Sequence, residues 1–265
     1  MKKYLSFFKL RLKIALQYRT SAIAGMFTQF FWAIMQILIF QAFYKVVTSD
    51  NISLPQLISY VWLKQAFYAI ISASPDQEIK SMIENGNISY ELCKPTNIYW
   101  MWFFKTLANK VSGGFLKSIP ILIVAPFLPY GLNLQAPAGA LEFILFLIAL
   151  ALAICLMAAI LNVFYISIFY TMTSKGTYSI FYAAMEFLGG TFVPIALMPD
   201  FWQSLCYMLP FSLAADLPFR IYSGSIGAGD AGIFILMQIV WLAVLTISGT
   251  IITNRRLKKV VIQGG

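Results

Sequence analysis

The chain has 265 residues, 60% of them hydrophobic and 16% aromatic against only 11% charged. That balance excludes a soluble domain kept in water by a polar surface. A net charge of +9 with no histidine excludes a His-dependent triad, a haem proximal histidine and a zinc-histidine site.

Residues 2 to 19 read as an amphipathic helix, with Tyr4, Leu5, Phe8, Leu12, Ala15 and Leu16 on one face and Lys2, Ser6, Lys9, Lys13 and Gln17 on another. Such a helix lies in the membrane interface, lysines at the headgroups, so residues 1–20 are assigned as an interfacial helix. Its long, periodic basic region does not fit a cleavable signal peptide.

Six apolar blocks follow, from Ser21 to Tyr44, Leu57 to Ala73, Trp100 to Tyr130, Ala138 to Tyr170, Ile180 to Met198 and Ile233 to Ile252. A helix needs roughly 20 residues to cross a bilayer, and the blocks are read as six spans of an all-α polytopic membrane protein, a single transmembrane domain over residues 1–265. Lysine and arginine cluster before the first block, between the second and third, and after the sixth. The positive-inside rule then places both termini and the segment around residues 74–95 in the cytoplasm. Because these charges flank the spans, they are explained by topology and anionic lipid, without a nucleic-acid partner. Cys93, Cys155 and Cys206 form no CxxC and indicate neither a disulfide framework nor a metal site.

In the first block Gln29 and Gln36 share a helical face, either bonding neighbouring helices or lining a path. Lys64 in the second block must snorkel, pair or face water. The third block carries Lys105, Asn109, Lys110 and Lys117, so its crossing part is expected to begin near Gly113-Gly114, with Pro120, Pro126 and Pro129 bending or ending the helix. The fourth runs about 33 residues, roughly 50 Å, and must tilt or protrude. Glu142 and Glu186 are the carboxylates placed inside blocks; Glu186 serves either a helix-helix hydrogen bond or the path. Residues 194–224 hold Pro194, Pro199, Pro210 and Pro218, which divide the backbone into short pieces that cap or re-enter the outer side.

The polar island at residues 74–95 contains Asp76, Glu78, Glu84 and Glu91. Ser74, Pro75, Asp76 and Gln77 signal a helix start with Ser74 as N-cap, and Asn85-Gly86 a stop. Ile79, Met82 and Ile83 share one face, while Asp76, Lys80 and Glu84 form a charged stripe; Ile88, Tyr90 and Leu92 alternate as an extended return. An acidic segment is repelled by anionic headgroups, so the island is read as a protein docking element.

The basic amphipathic N-terminal helix, the stretch GNISYELCKPTNIYWMWFFK, the run FLGGTFVPIALMPDFWQSLCYMLPF and the LPFRIYSG after it resemble the permease subunit of a prokaryotic ABC exporter of the type 2 permease superfamily. The resemblance implies a non-catalytic transmembrane subunit in the plasma membrane, paired with a second permease, identical or related, and with two copies of an ABC ATP-binding subunit. ATP and magnesium would be bound in that partner, and no cofactor in this chain, which has no P-loop motif. Asp76, Glu78, Ile79, Lys80, Met82, Ile83 and Glu84 would form the coupling helix docking to the ATPase, residues 194–224 the outer gate, and Gln29, Gln36 and Glu186 the translocation path. A gradient-driven secondary transporter or channel is the alternative, for which an internal repeat is expected and none is seen.

Overall fold

The computed structural model describes residues 2–15, 17, 19–46, 51–88, 91, 96–171 and 173–257. These residues form helices and no strand. In chain order α1 is Lys2–Ala15, α2 Arg19–Tyr44, α3 Leu54–Ala66, α4 Tyr68–Ile71, α5 Gln77–Glu84 and α6 Ile98–Val124. Then come α7 Ala140–Thr171, α8 Lys175–Leu188, α9 Asp200–Met208, α10 Pro210–Ala215, α11 Leu217–Ser223 and α12 Ala228–Leu257.

Four helical segments among the described residues are long and apolar enough to cross a membrane: Ile23–Tyr44, Ile98–Phe127, Ala140–Thr171 and Ala228–Arg256. Phe27, Phe31, Ile119, Ile123, Ile233, Leu236 and Ile247 stand exposed along them. That is the surface expected of helices solvated by acyl chains. The expected second and fifth spans are shorter helices, α3 with 13 residues and α8 with 14. Every residue of α3 from Leu57 to Ala66 is buried, so protein surrounds this helix and its apolar run is a core signal.

The organising element is α7, which packs against α6, α10, α11 and α12. Its most apolar window is 61% buried, against 11% for those of α2 and α12. Alanines at 149, 153, 158 and 159 are at 0% exposure and let neighbouring backbones come close. At 32 residues it matches the expected length of the fourth block. Glu142 sits in its first turn, where a carboxylate suits the helix dipole.

The third block is one continuous helix, α6, with Pro120 inside it and a 3-10 turn at Ala125–Phe127 where Pro126 ends it. Helical packing extends on both sides of Gly113-Gly114. Lys105 and Lys110 are buried, because protein on the near side of the bundle supplies their partners. Close packing of α6 on α4 requires Gly114, where a Cβ would fall 2.4 Å from Cγ1 of Ile70.

At the same end, α1 packs beside the start of α6. Tyr4 stacks on Phe104 at 5.8 Å and accepts a 2.9 Å hydrogen bond from the Asn97 amide. The expected apolar face is therefore divided. Tyr4, Phe8 and Leu12 are partly covered by protein, while Leu5 stays exposed and is free for an interface together with Leu10 and Ile14, which lie outside that face. Ala15's side chain, Leu16 and residue 18 lie outside what is described.

At the opposite end residues 194–224 are broken as the prolines require: a 3-10 turn at Ile195–Leu197, then α9, α10 and α11. α11 is buried throughout and α10 is buried except at the partly covered Phe211, and both pack on α7.

Candidate functional site

α5 is too short to hold itself together, since isolated helices of fewer than about 12 residues are marginal in water. Capping and packing hold it. The N-cap is Asp76 and not the expected Ser74: its Oδ1 accepts from the amides of Glu78 and Ile79 at 2.9 and 3.1 Å. Ser74 instead shares a 3.2 Å hydroxyl contact with Ser72. The difference is a matter of reach, because a cap must sit immediately before the first helical residue, here Gln77. The stop is as expected, with Asn85 as C-cap and Gly86 at φ +71°. Ile88 and Glu91 carry helical backbone, so the extended return is not found at Ile88; Tyr90 and Leu92 lie outside the described residues.

The apolar face of α5 turns inward. Ile79 and Ile83 are 0% and 4% exposed and join the chain's own core. The charged side is also largely engaged within the chain. Lys105 Nζ lies 3.0 Å from Asp76 Oδ1 and 2.6 Å from Glu78 Oε2. Asn109 donates to the second oxygen of Asp76 at 2.7 Å, and the Asp76 amide donates to the Tyr165 hydroxyl on α7 at 2.7 Å. Arg11 of α1 donates to both oxygens of Glu78 at 3.1 and 3.2 Å. Glu84 accepts from the Ser174 amide at 3.0 Å. What α5 and its C-cap leave exposed is a polar edge of Gln77, Ser81, Asn85, Gly86 and Asn87 with the flank of Glu78 and Glu84, while Lys80 and Met82 are partly covered.

Two of these carboxylates are tuned by their partners. Burial pushes the Glu78 carboxyl up, but hydrogen bonds from Lys105 and Arg11 outweigh it and hold the group below the usual glutamate range. The hydrogen bond from Ser174 does the same for Glu84.

Immediately inward of α5 lies a cavity of about 660 Å³. Asp76 belongs to both, capping the helix and lining the cavity. Further lining comes from Gln29 on α2, Tyr68 on α4, Asn109, Lys110 and Lys117 on α6, and Tyr178 and Tyr182 on α8. Of the path residues expected from sequence, Gln29 is on this wall. Gln36 is not; its side-chain oxygen accepts from Gln65 of α3 at 3.0 Å, tying two helices together. Glu186 sits just outside, beside Tyr182 and in the field of Lys64.

The helix description and the capped segment facing a cavity agree with a family assignment that rests on the sequence itself. Residues 21–264 match the family described as ABC-2 family transporter protein. The chain belongs to that family. Comparison with curated proteins finds no match, and comparison with solved structures finds none. As an ABC-2 permease the chain is a multi-pass membrane subunit of a transporter, and membership implies an ABC ATP-binding partner and a lipid bilayer around it.

One feature of this permease escaped the sequence reading. Asp216, between α10 and α11, is 1% exposed and accepts from the Tyr60 hydroxyl at 2.7 Å. Arg220 places NH1 3.8 Å from its other oxygen, hydrogen-bonds Tyr207 and covers that ring at 4.7 Å. Lys64, 1% exposed, reaches the Gly190 carbonyl at 3.5 Å and so pairs instead of snorkelling. The signal was present as an Asp and an Arg four residues apart within a proline-rich apolar run. Such a pair survives burial only when its polar atoms meet.

Proposed function

We propose that this permease is the transmembrane subunit of an ATP-driven exporter in the plasma membrane, with α5 at the cytoplasmic face as the element that a separate ATP-binding subunit moves. The observation that carries the reading is the double role of Asp76, which caps α5 and forms part of the cavity wall. A force applied to the exposed edge of α5 reaches the cavity through Asp76, Lys105 and Asn109, which are in direct contact. The motor shifts the permease only by the free energy with which its contact on α5 differs between conformations.

Two ATP-binding subunits and a second permease, identical or related, complete the transporter in this reading, and ATP with magnesium acts in the motor subunits. Residues 194–224 form the outer gate, and the cavity beside Gln29 and Tyr182 is the inner part of the path. Docking uses the polar edge and the exposed flank of Glu78 and Glu84, while Asp76, Ile79 and Ile83 keep α5 rigid. Family membership favours this over a gradient-driven transporter or channel.

The test is co-expression with a candidate ATP-binding subunit. Co-purification, ATP hydrolysis that requires the permease, and loss of export in Ser81→Trp and Asn87→Arg variants that still insert normally are the expected results. Undiminished ATP-driven export by both variants overturns the docking assignment.

A further inference from the structure

The cavity next to α5 has an unbalanced charge. Lys110 and Lys117 are seven residues apart, which puts both on one face of α6, and both line the cavity. Lys110 donates to neutral oxygens: the carbonyls of Ala69 and Ser72 at 3.2 and 2.5 Å and the Ser72 hydroxyl at 3.4 Å. Lys117 packs against Gly25, where a Cβ would lie 3.0 Å from its amine, and among the described residues it has no acidic partner.

The carboxylates nearby do not offset these amines. Asp76 lines the cavity but is already matched by Lys105 and Asn109. Glu186 is not on the cavity wall and lies beside Tyr182, in the field of Lys64. The Lys117 ammonium therefore borders, with no acidic partner among the described residues, a space bounded by membrane helices, where water screens charge less than in bulk, while Lys110 stands on the same wall bonded to Ala69 and Ser72 oxygens. A lysine amine serves phosphate, sulfate or carboxylate as a compact point charge. Tyr68, Tyr178 and Tyr182 supply ring faces and hydroxyl groups on the remaining wall. Such rings pair an apolar surface with a polar tip. The volume, about 660 Å³, falls in the range of ordinary small-molecule sites.

We infer that this cavity takes an anionic amphiphile, its phosphate, sulfate or carboxylate group at Lys117 and its apolar body against the three tyrosines. The inference rests on the exporter reading, in which the cavity is the cytoplasmic part of the path, and it names the class of cargo.

Binding is measured on the full chain in phosphatidylcholine nanodiscs with no ATP-binding subunit present, using dodecyl phosphate, dodecyltrimethylammonium and inorganic phosphate as probes. Dodecyl phosphate is expected to bind at least tenfold more tightly than the cationic probe and to weaken with salt. Lys117→Gln should lose about tenfold and Lys117→Arg should retain most of the affinity. Equal affinity for both dodecyl probes, or an unchanged Lys117→Gln with a normal melting profile, overturns the inference. Inorganic phosphate binding as tightly as dodecyl phosphate overturns the amphiphile part, and equal binding to nanodiscs of phosphatidylglycerol and phosphatidylcholine distinguishes a freely supplied amphiphile from a bulk lipid headgroup as its source. Since no motor is present, failure here leaves motor-dependent export standing. Failure of that export leaves a charge-selective cavity.

Discussion

Lys105 holds the capping carboxylate of Asp76, with Nζ 3.0 Å from the same Oδ1 that accepts the Glu78 and Ile79 amides of α5. Both side chains are nearly buried, at 5% and 10% exposure. Removing one member of such a pair leaves the other charge without compensation, and about 3 kcal/mol is the usual loss. Lys105→Met should therefore lower the melting temperature of the purified permease clearly. Asp76→Asn, which keeps an N-cap acceptor, should cost less than Asp76→Ala, which loses about 1 kcal/mol more from the cap alone. Thermal melting of the three variants in one detergent checks the order.

Glu78 and Glu84 set an acid limit on the same segment. Both carboxyls are held below their ordinary values in the folded chain, by hydrogen bonds from Lys105 and Arg11 in one case and Ser174 in the other. A depressed folded value means the stabilisation is complete above the unfolded value of about 4.3 and is lost as pH falls through the folded value. The contribution of these two carboxyls to the melting temperature should thus be complete from pH 7 to 5 and fall away below about pH 4.3. In Glu78→Gln that acid-side fall should be shallower. The carboxyls are substantially exposed, so the difference will be small and should shrink in high salt.

The face of α5 decides which substitutions report on coupling. Ile79 is wholly buried in the core, so Ile79→Asp should destabilise the whole permease and reduce its yield, a result that says nothing of docking. Ser81 and Asn87 are exposed. Ser81→Trp and Asn87→Arg should change melting by less than about 0.5 kcal/mol, the usual range for surface changes, while reducing motor-dependent export. Measuring yield, melting and export on each variant separates the two classes.

Much of this architecture was legible because lipid imposes a simple code. Long apolar runs at α2, α7 and α12, and the Asn85-Gly86 stop, follow from local chemistry. The pattern on α5 was legible as amphipathic but not as to which way it faced. An apolar face at Ile79 and Ile83 serves an internal core or an external groove equally well, and only tertiary contacts choose. The same limit applies to α3, whose apolar run fits a span or a buried helix. Gln29 and Gln36 share a helical face, yet one meets a cavity and the other a neighbouring amide, a difference made by α3. Lys110 and Lys117 were visible as charges in a greasy block, and their seven-residue spacing was the unused clue to a common wall.

The buried cluster at the far end gives the sharpest stability contrast. Asp216 accepts from Tyr60 and faces Arg220, and all three are within the packed interior. Asp216→Ala leaves Arg220 charged and without its carboxylate, so a loss of about 3 to 5 kcal/mol is expected. Asp216→Asn retains an acceptor for the Tyr60 hydroxyl and should lose less. Gly190, at φ +68°, lies against the same site, and a Cβ there would come 2.7 Å from Cγ1 of Ile195 and 3.3 Å from Oδ1 of Asp216. Gly190→Ala combines left-handed strain with overpacking and should cost about 1 to 3 kcal/mol by itself. Because both changes act on one carboxylate, the double variant Gly190→Ala with Asp216→Ala should lose less than the two single losses added together. Strict additivity in a thermal-melting double-mutant cycle would show that Gly190 and Asp216 do not share a packing constraint.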